Sequence, residues 1–224
     1  MNGRYEEALA DLNLEIAHTP SRGALNNRGL VFLHLGHHEK AFDDFTRANE
    51  GGDGSKCGLA LWMGGYPEHA LGAWTHGLQA TIRGEVEYDD GGRGVSVAAF
   101  VFFAGVRLSD SQAIKAASSF LRKRSKSKNA EHWPGIISKR LVGLISDAEL
   151  IATVDEGPLL QRLRCRAHFW CGVMALSAGD ELAYYNQLKL AYEYGRTLKL
   201  EREYYLAYHE LRRATSETKE CRMP

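Results

Sequence analysis

The chain has no excess of charge of either sign. Its 28 basic and 28 acidic side chains among 224 residues give a formal net charge of zero, so no whole-chain field draws it toward nucleic acid or an anionic membrane, and any polyanion binding must be local. Cysteine is scarce: Cys57, Cys165, Cys171 and Cys221 match neither a CxxC zinc pair nor the dense framework of a small secreted domain, and reduced thiols are expected. Long apolar runs are missing, since even Val95 to Val106 is too short to cross a bilayer and is followed by Arg107. The first residues, Met1-Asn2-Gly3-Arg4-Tyr5-Glu6-Glu7, are polar and unlike the basic-then-apolar run of a secretory signal, so a cytoplasmic location is expected. No serine or cysteine has a nucleophile signature and no His-Glu zinc-protease pair occurs, so neither an enzyme nor a bound cofactor is expected.

What is present is an apolar fraction of 44%, enough for one sizeable packed domain or two small ones, and an internal repeat. Ala24-Leu25-Asn26-Asn27-Arg28-Gly29-Leu30-Val31-Phe32-Leu33-His34-Leu35-Gly36 leads into the segment from His37 to Ala48, with apolar or small residues at helical spacing in both halves. That predicts a helix, a tight turn and a second helix. Gly29, Ala41 and Ala48 mark close approach of the two helices. Gly36 stands where the first must stop and can take the left-handed conformation of a helix C-terminus. Upstream, Gly3 to Leu9 with Leu12 repeat the second half of the unit and Pro20 closes it. Downstream, Gly58 takes the role of Gly29 and Ala70 that of Ala41, followed by Trp74.

Gly29, Gly36, Ala41, Phe45 and Ala48 stand at the mutual spacings of the tetratricopeptide (TPR) consensus, whose unit is about 34 residues, and the chain resembles that family. Leu25 replaces the consensus Trp and Gly52-Asp53 the closing Pro. The resemblance implies an all-α fold, a right-handed α-solenoid of TPR-like helical hairpins with about ten helices, and the binding of another protein.

Three regions are expected: TPR repeats over residues 1–80, the first one half-length; a Gly/Asp-rich loop over 81–94; and degenerate TPR-like hairpins with a C-terminal capping helix over 95–224. In the last region a helix should run from Val95 to Arg107. Ser109-Asp110-Ser111-Gln112 has the spacing of a capping box opening a helix to Arg122, and Ser146-Asp147-Ala148-Glu149 that of a second, to Val154. Trp133-Pro134 fits a helix start. Leu159 to Leu176 is helical by periodicity, and Gly172, Gly179, Tyr184, Leu188 and Ala191 repeat the TPR spacing. An amphipathic helix from Leu200 to Ala214 should close the stack with a polar outer face. Over roughly residues 55–212 the layout is similar to bacterial TPR proteins of two kinds, lipoprotein adaptors that tether cell-wall hydrolases and proteases, and stand-alone proteins encoded beside secreted polymorphic toxins, where an immunity role is usual.

Candidate sites divide by chemistry. His34, His37 and His38 form an HxxHH cluster, but the last two fall in a turn with no carboxylate or Cys at ligand spacing, so no metal is expected. Asp89, Asp90 and Arg93 lie in a loop with neither Walker nor GxGxxG spacing, which could grip a partner but not cradle a phosphate. The basic run Arg122 to Lys128 fits a solvated helix end with no aromatics interleaved, and its alternative is a weak nucleic-acid surface. Carboxylates such as Asp43-Asp44 read as repeat surface. The repeat geometry implies a concave surface lined by first helices, at Asn26, Asn27, Leu30 and His34 in one unit and Lys56, Leu59 and Trp62 in the next. Asn27 and Lys56 resemble by position residues that clamp a peptide carboxylate in some TPR domains, although Leu30 stands where such a clamp wants a polar group. A tyrosine-rich tail from Tyr184 to Tyr208 is a second surface. The expected function is a non-catalytic protein-binding module, an inhibitor or immunity protein of a bacterial toxin, with an adaptor that recruits an enzyme as its rival. The half-repeat 1–20 further predicts a homodimer in which a second copy covers its unpaired face.

Overall fold

The computed structural model describes residues 3–48, 54–86, 93–154, 157–197, 199 and 201–220. Among these, every regular element is a helix. The chain divides into two compact units, Met1–Glu87 and Tyr88–Pro224.

The first unit holds α1 (Gly3–His18), α2 (Arg22–His34), α3 (His38–Ala48), α4 (Ser55–Met63) and α5 (Pro67–Arg83). α2 packs on α3 and α4 on α5 as hairpins, with α1 against α2 and α3 against α4. The two hairpins are built alike. A Cβ on Gly29 would fall 2.5 Å from Phe45 Cε1, and one on Gly58 2.5 Å from Trp74 Cε2, so in each hairpin a glycine lets an aromatic ring lie on the helix backbone. Further on, Gly36 (φ 77°) and Gly65 (φ 85°) are left-handed. The next amide donates back into the first helix, His37 to the Phe32 carbonyl and Tyr66 to that of Leu61, both at 2.9 Å, which satisfies carbonyls the helix end leaves orphaned. Gly29 and Gly58 stand 29 positions apart, a shorter period than the roughly 34 residues of the TPR consensus.

Two expectations fail in this unit. Asp44 is only 2% exposed, because α3 turns Ala41, Asp44, Phe45 and Ala48 inward as one i, i+3, i+4, i+7 face. Arg28 grips it through Nε and Nη2, each at 2.7 Å, and donates from Nη1 to Asn13 Oδ1 at 2.7 Å, tying α1, α2 and α3 together. α5 also continues through Arg83, so the loop expected from Thr81 begins at the left-handed Gly84. Thr81 is buried within this last stretch of α5, and its hydroxyl donates to the Gly77 carbonyl at 2.7 Å, so it exposes no unpaired polar group to the core.

The second unit holds α6 (Val95–Leu108), α7 (Ser111–Arg124), a 3-10 turn (Lys128–Glu131), α8 (Ile136–Leu141), α9 (Asp147–Ala152), α10 (Leu160–Ser177), α11 (Glu181–Gly195) and α12 (Arg202–Glu220). α6 is buried on every side from Val95 to Gly105, the mark of a central helix; α7, α8 and α10 pack around it. Phe100 meets Trp170 at 5.6 Å between ring centroids and Phe103 meets Phe169 at 5.4 Å. The α10–α11 hairpin repeats the earlier turn, with Gly179 at φ 81° and the Asp180 amide donating to the Ala175 carbonyl at 3.0 Å.

The capping box expected at Ser109 is absent. Ser109 closes α6 in the left-handed conformation (φ 56°), and Asp110, a stronger acceptor, caps α7 by receiving the amides of Gln112 and Ala113 at 2.9 Å each. The box at Ser146 and Glu149 forms as expected. Trp133-Pro134 precedes α8, which starts at Ile136. The last helix runs from Arg202 to Glu220, past the end expected at Ala214; Leu200, its expected start, lies outside the described residues. Twelve α-helices occur among the described residues against about ten expected.

Candidate functional site

The residues expected to line a groove do not form one exposed set. On α2, Asn27 is exposed and Asn26 and Leu30 half-buried, while His34 sets its ring tilted against that of Tyr5 on α1, 4.5 Å between centroids. On α4, Lys56 holds its ammonium 6.0 Å from the centre of the Phe45 ring. Leu59 and Trp62 are 0% and 2% exposed; Trp62 stacks on Trp74 at 5.8 Å. Those two are packing residues, and their burial leaves nothing for a partner to touch. Arg93 is exposed in the second unit with φ 42°; Asp89 and Asp90 lie outside the described residues.

An open cleft of the first unit lies between α3 and the start of α5. His38, Glu39, Phe42 and Asp43 of α3 face Ala60 and Leu61 of α4 and Tyr66 of the following turn across a cleft of about 300 Å³. Next to it, Gly36, His37, His38, Glu39, Lys40, Gly64 and Tyr66 line a second hollow of about 300 Å³, so the two share His38, Glu39 and Tyr66. Tyr66 remains 48% exposed with its ring edge-on to His69 at 6.1 Å. The cleft is lined by apolar side chains, Phe42, Ala60, Leu61 and Tyr66, together with His38 and the carboxylates Glu39 and Asp43. A side chain buried there would exchange water for Phe42, Leu61 and Tyr66, while Glu39 and Asp43 would favour a neighbouring cation.

This cleft was hidden because the repeat pattern assigns α3 residues to packing. Phe42 falls one position after the small Ala41 and three before Phe45, so it leaves the inward face yet stays apolar. Tyr66 carried the available signal, a large aromatic in a tight turn immediately before Pro67, where small or polar residues are the rule.

The other concentration of ionisable groups is internal to the second unit. Glu203 accepts from Arg166 Nε at 3.2 Å and from the Trp170 indole at 3.1 Å. Glu201 accepts from Arg162. Glu210 lies 2.9 Å from Arg107 Nε and accepts from the Tyr184 hydroxyl at 3.2 Å. Burial, and then Glu210, push the Tyr184 phenol well above its usual range. These groups answer one another and fasten helices together. Among the described residues, no group of three or more His, Cys, Asp or Glu is placed to hold a metal ion, and no helix is long and apolar enough to cross a membrane. Neither a protein-family model nor a curated protein matches the chain.

Proposed function

We propose that the chain is a non-catalytic interaction module whose first unit takes a segment of another protein into the cleft between α3, α4 and Tyr66, the hairpins being units of a right-handed TPR-like solenoid. The observation that carries this reading is a solvent-open cleft lined together by the apolar Phe42, Leu61 and Tyr66 and the carboxylates Glu39 and Asp43. It specifies the ligand: a peptide with one large apolar anchor and a Lys or Arg beside it. The similarity in layout to toxin-associated proteins favours sequestration of a toxin, in which binding abolishes the partner's activity; an adaptor would leave that activity intact.

Selection of a displayed random-peptide library on the immobilised protein at high salt tests the cleft. Peptides with an aromatic or large aliphatic residue flanked by a cation should be enriched. Tyr66→Ala combined with Phe42→Ser should weaken them by about 10- to 100-fold, the worth of one or two buried anchors, while Asn27→Ala leaves them unchanged. Enrichment that survives the Tyr66/Phe42 double change would refute the assignment.

A further inference from the structure

α7 is charged on one side only. Lys115, Ser118, Ser119, Arg122, Lys123 and Lys126 recur at steps of three and four, the last just beyond the helix end, and line a groove of about 500 Å³. Ala113, Ala117, Phe120 and Leu121 on the opposite side are buried. No acidic residue occurs from Ser111 to Ala130, and the helices packed on α7, α6 and α8, contribute Arg107, Lys139 and Arg140 but no carboxylate. The two nearest acids in sequence are engaged: Asp110 caps α7 and Glu131 pairs with Lys139. Arg124 leaves the groove to lie over the Phe120 ring at 5.0 Å. A helix dipole accounts for cations in the last turn but offers nothing to Lys115 in the second, since the effect fades within one turn. In a chain of zero net charge this is a segregated field.

We propose that this face binds the phosphate backbone of duplex nucleic acid without regard to sequence. Three of the four cations are lysines, point charges suited to phosphate, and the two serine hydroxyls between them can donate to phosphate oxygens. From Lys115 to Lys126 the face extends about 16 Å at helical rise, room for several phosphates at roughly 3.4 Å of axis per strand. The lining has no aromatic ring on which an unpaired base could stack, which favours a duplex over a single strand. It also has no large apolar side chain to enter a bilayer, which argues against an anionic membrane.

The test is fluorescence anisotropy of the full chain with a labelled duplex of about 20 base pairs, titrated at several salt concentrations. Four neutralised phosphates give a log–log salt slope of about −3.6, so affinity should fall about 150-fold for a fourfold rise in salt. Lys123→Gln with Lys126→Gln removes two contacts and should reduce that fall to about 12-fold, whereas Lys189→Gln on α11 should leave it unchanged. The exposed lysines are replaced by an equally good helix former, so circular dichroism should stay constant. No binding at low salt, an unaltered slope in the double variant, or tighter binding of a single strand or of polyglutamate than of the duplex would each overturn the proposal.

Discussion

Replacing Gly58 by alanine opposes two effects whose balance the structure decides. Alanine in a helix interior is favoured over glycine by about 1 kcal/mol. Its Cβ, however, would fall 2.5 Å from Trp74 Cε2 and 2.6 Å from Cδ1, distances no real Cβ tolerates. Trp74 cannot yield cheaply: it is fully buried, stacked on Trp62, and its indole donates to the Ser55 carbonyl at 3.0 Å. Overpacking costs about 1–3 kcal/mol, and a displaced indole leaves a buried polar group unmade at about 1–3 kcal/mol more. The net expectation is destabilisation by about 2 kcal/mol after the helical gain is subtracted. Gly72 on α5 is the control, because a Cβ there meets nothing within 4 Å; Gly72→Ala should stabilise by about 0.5–1 kcal/mol. Hydrogen exchange of α4 and α5 in urea reads both variants. If Gly58→Ala also stabilises, the glycine–indole contact is not present in the folded protein and the account of both hairpins fails.

Arg28→Ala strips Asp44 of its bidentate partner and leaves it only the longer contact to Arg47, 3.9 Å from Oδ1, so it should cost about 2–3 kcal/mol in urea unfolding; Arg28→Met with Asp44→Leu should recover most of that. The Glu149 carboxylate is held below its usual range first by the Ser146 amide and then by the Ser146 hydroxyl. Its contribution is therefore present above the unfolded carboxylate range and lost as pH falls through the lower folded value. Exchange protection at the start of α9 should fall with acid, and Glu149→Gln should flatten that dependence. Burial raises the Cys165 and Cys171 thiols, so neither should alkylate in the folded chain, while the half-buried Cys57 does; mass spectrometry of labelled peptides before and after denaturation checks this.

Much of the fold was legible because glycine and alanine occupy positions where two helices touch. The close approach at Gly29 and at its counterpart Gly58 and the left-handed turn at Gly36 follow from spacing, whereas the rings that fill those approaches, Phe45 and Trp74, emerge only from the packing. Asp44 was misplaced because a carboxylate reads as surface until its cation is found, and Arg28 lies sixteen positions away on another helix. Ser109 was misread because a left-handed serine leaves no sequence mark. The sites were less legible than the fold. Leu59 and Trp62 have residue types suited to a partner surface, yet both are buried, and Trp62 lies under Trp74 arriving from α5. Groove and core residues look alike until tertiary packing separates them. The α7 face was half visible: the run Arg122 to Lys128 stood out, but Lys115 joins it only when helical register is imposed, which also removes Arg124.

The closing helix shows how the second unit departs from the repeat. Where the first two hairpins place Ala41 and Ala70, the α10–α11 hairpin has Tyr184, and its hydroxyl reaches Glu210 on α12. That carboxylate also meets Arg107 from the last turn of α6, while Glu203 takes Arg166 and Trp170 from α10. Glu203 and Glu210 lie two turns apart and so share one face, which means that the inner side of α12 is partly charged. Such pairs add little net stability, because desolvation cancels most of the attraction, while losing one partner is costly. Sliding α12 by one turn would leave two buried carboxylates without cations. We infer that charge fixes the register of α12, and Glu210→Gln should lower the urea midpoint more than Glu193→Gln on the exposed α11 surface. The consequence reaches α7, since Arg107 stands just before the turn into that helix and α6 packs on both α7 and α10. The phosphate-binding face proposed on α7 thus rests on a helix, α6, that the Arg107–Glu210 pair ties to α12.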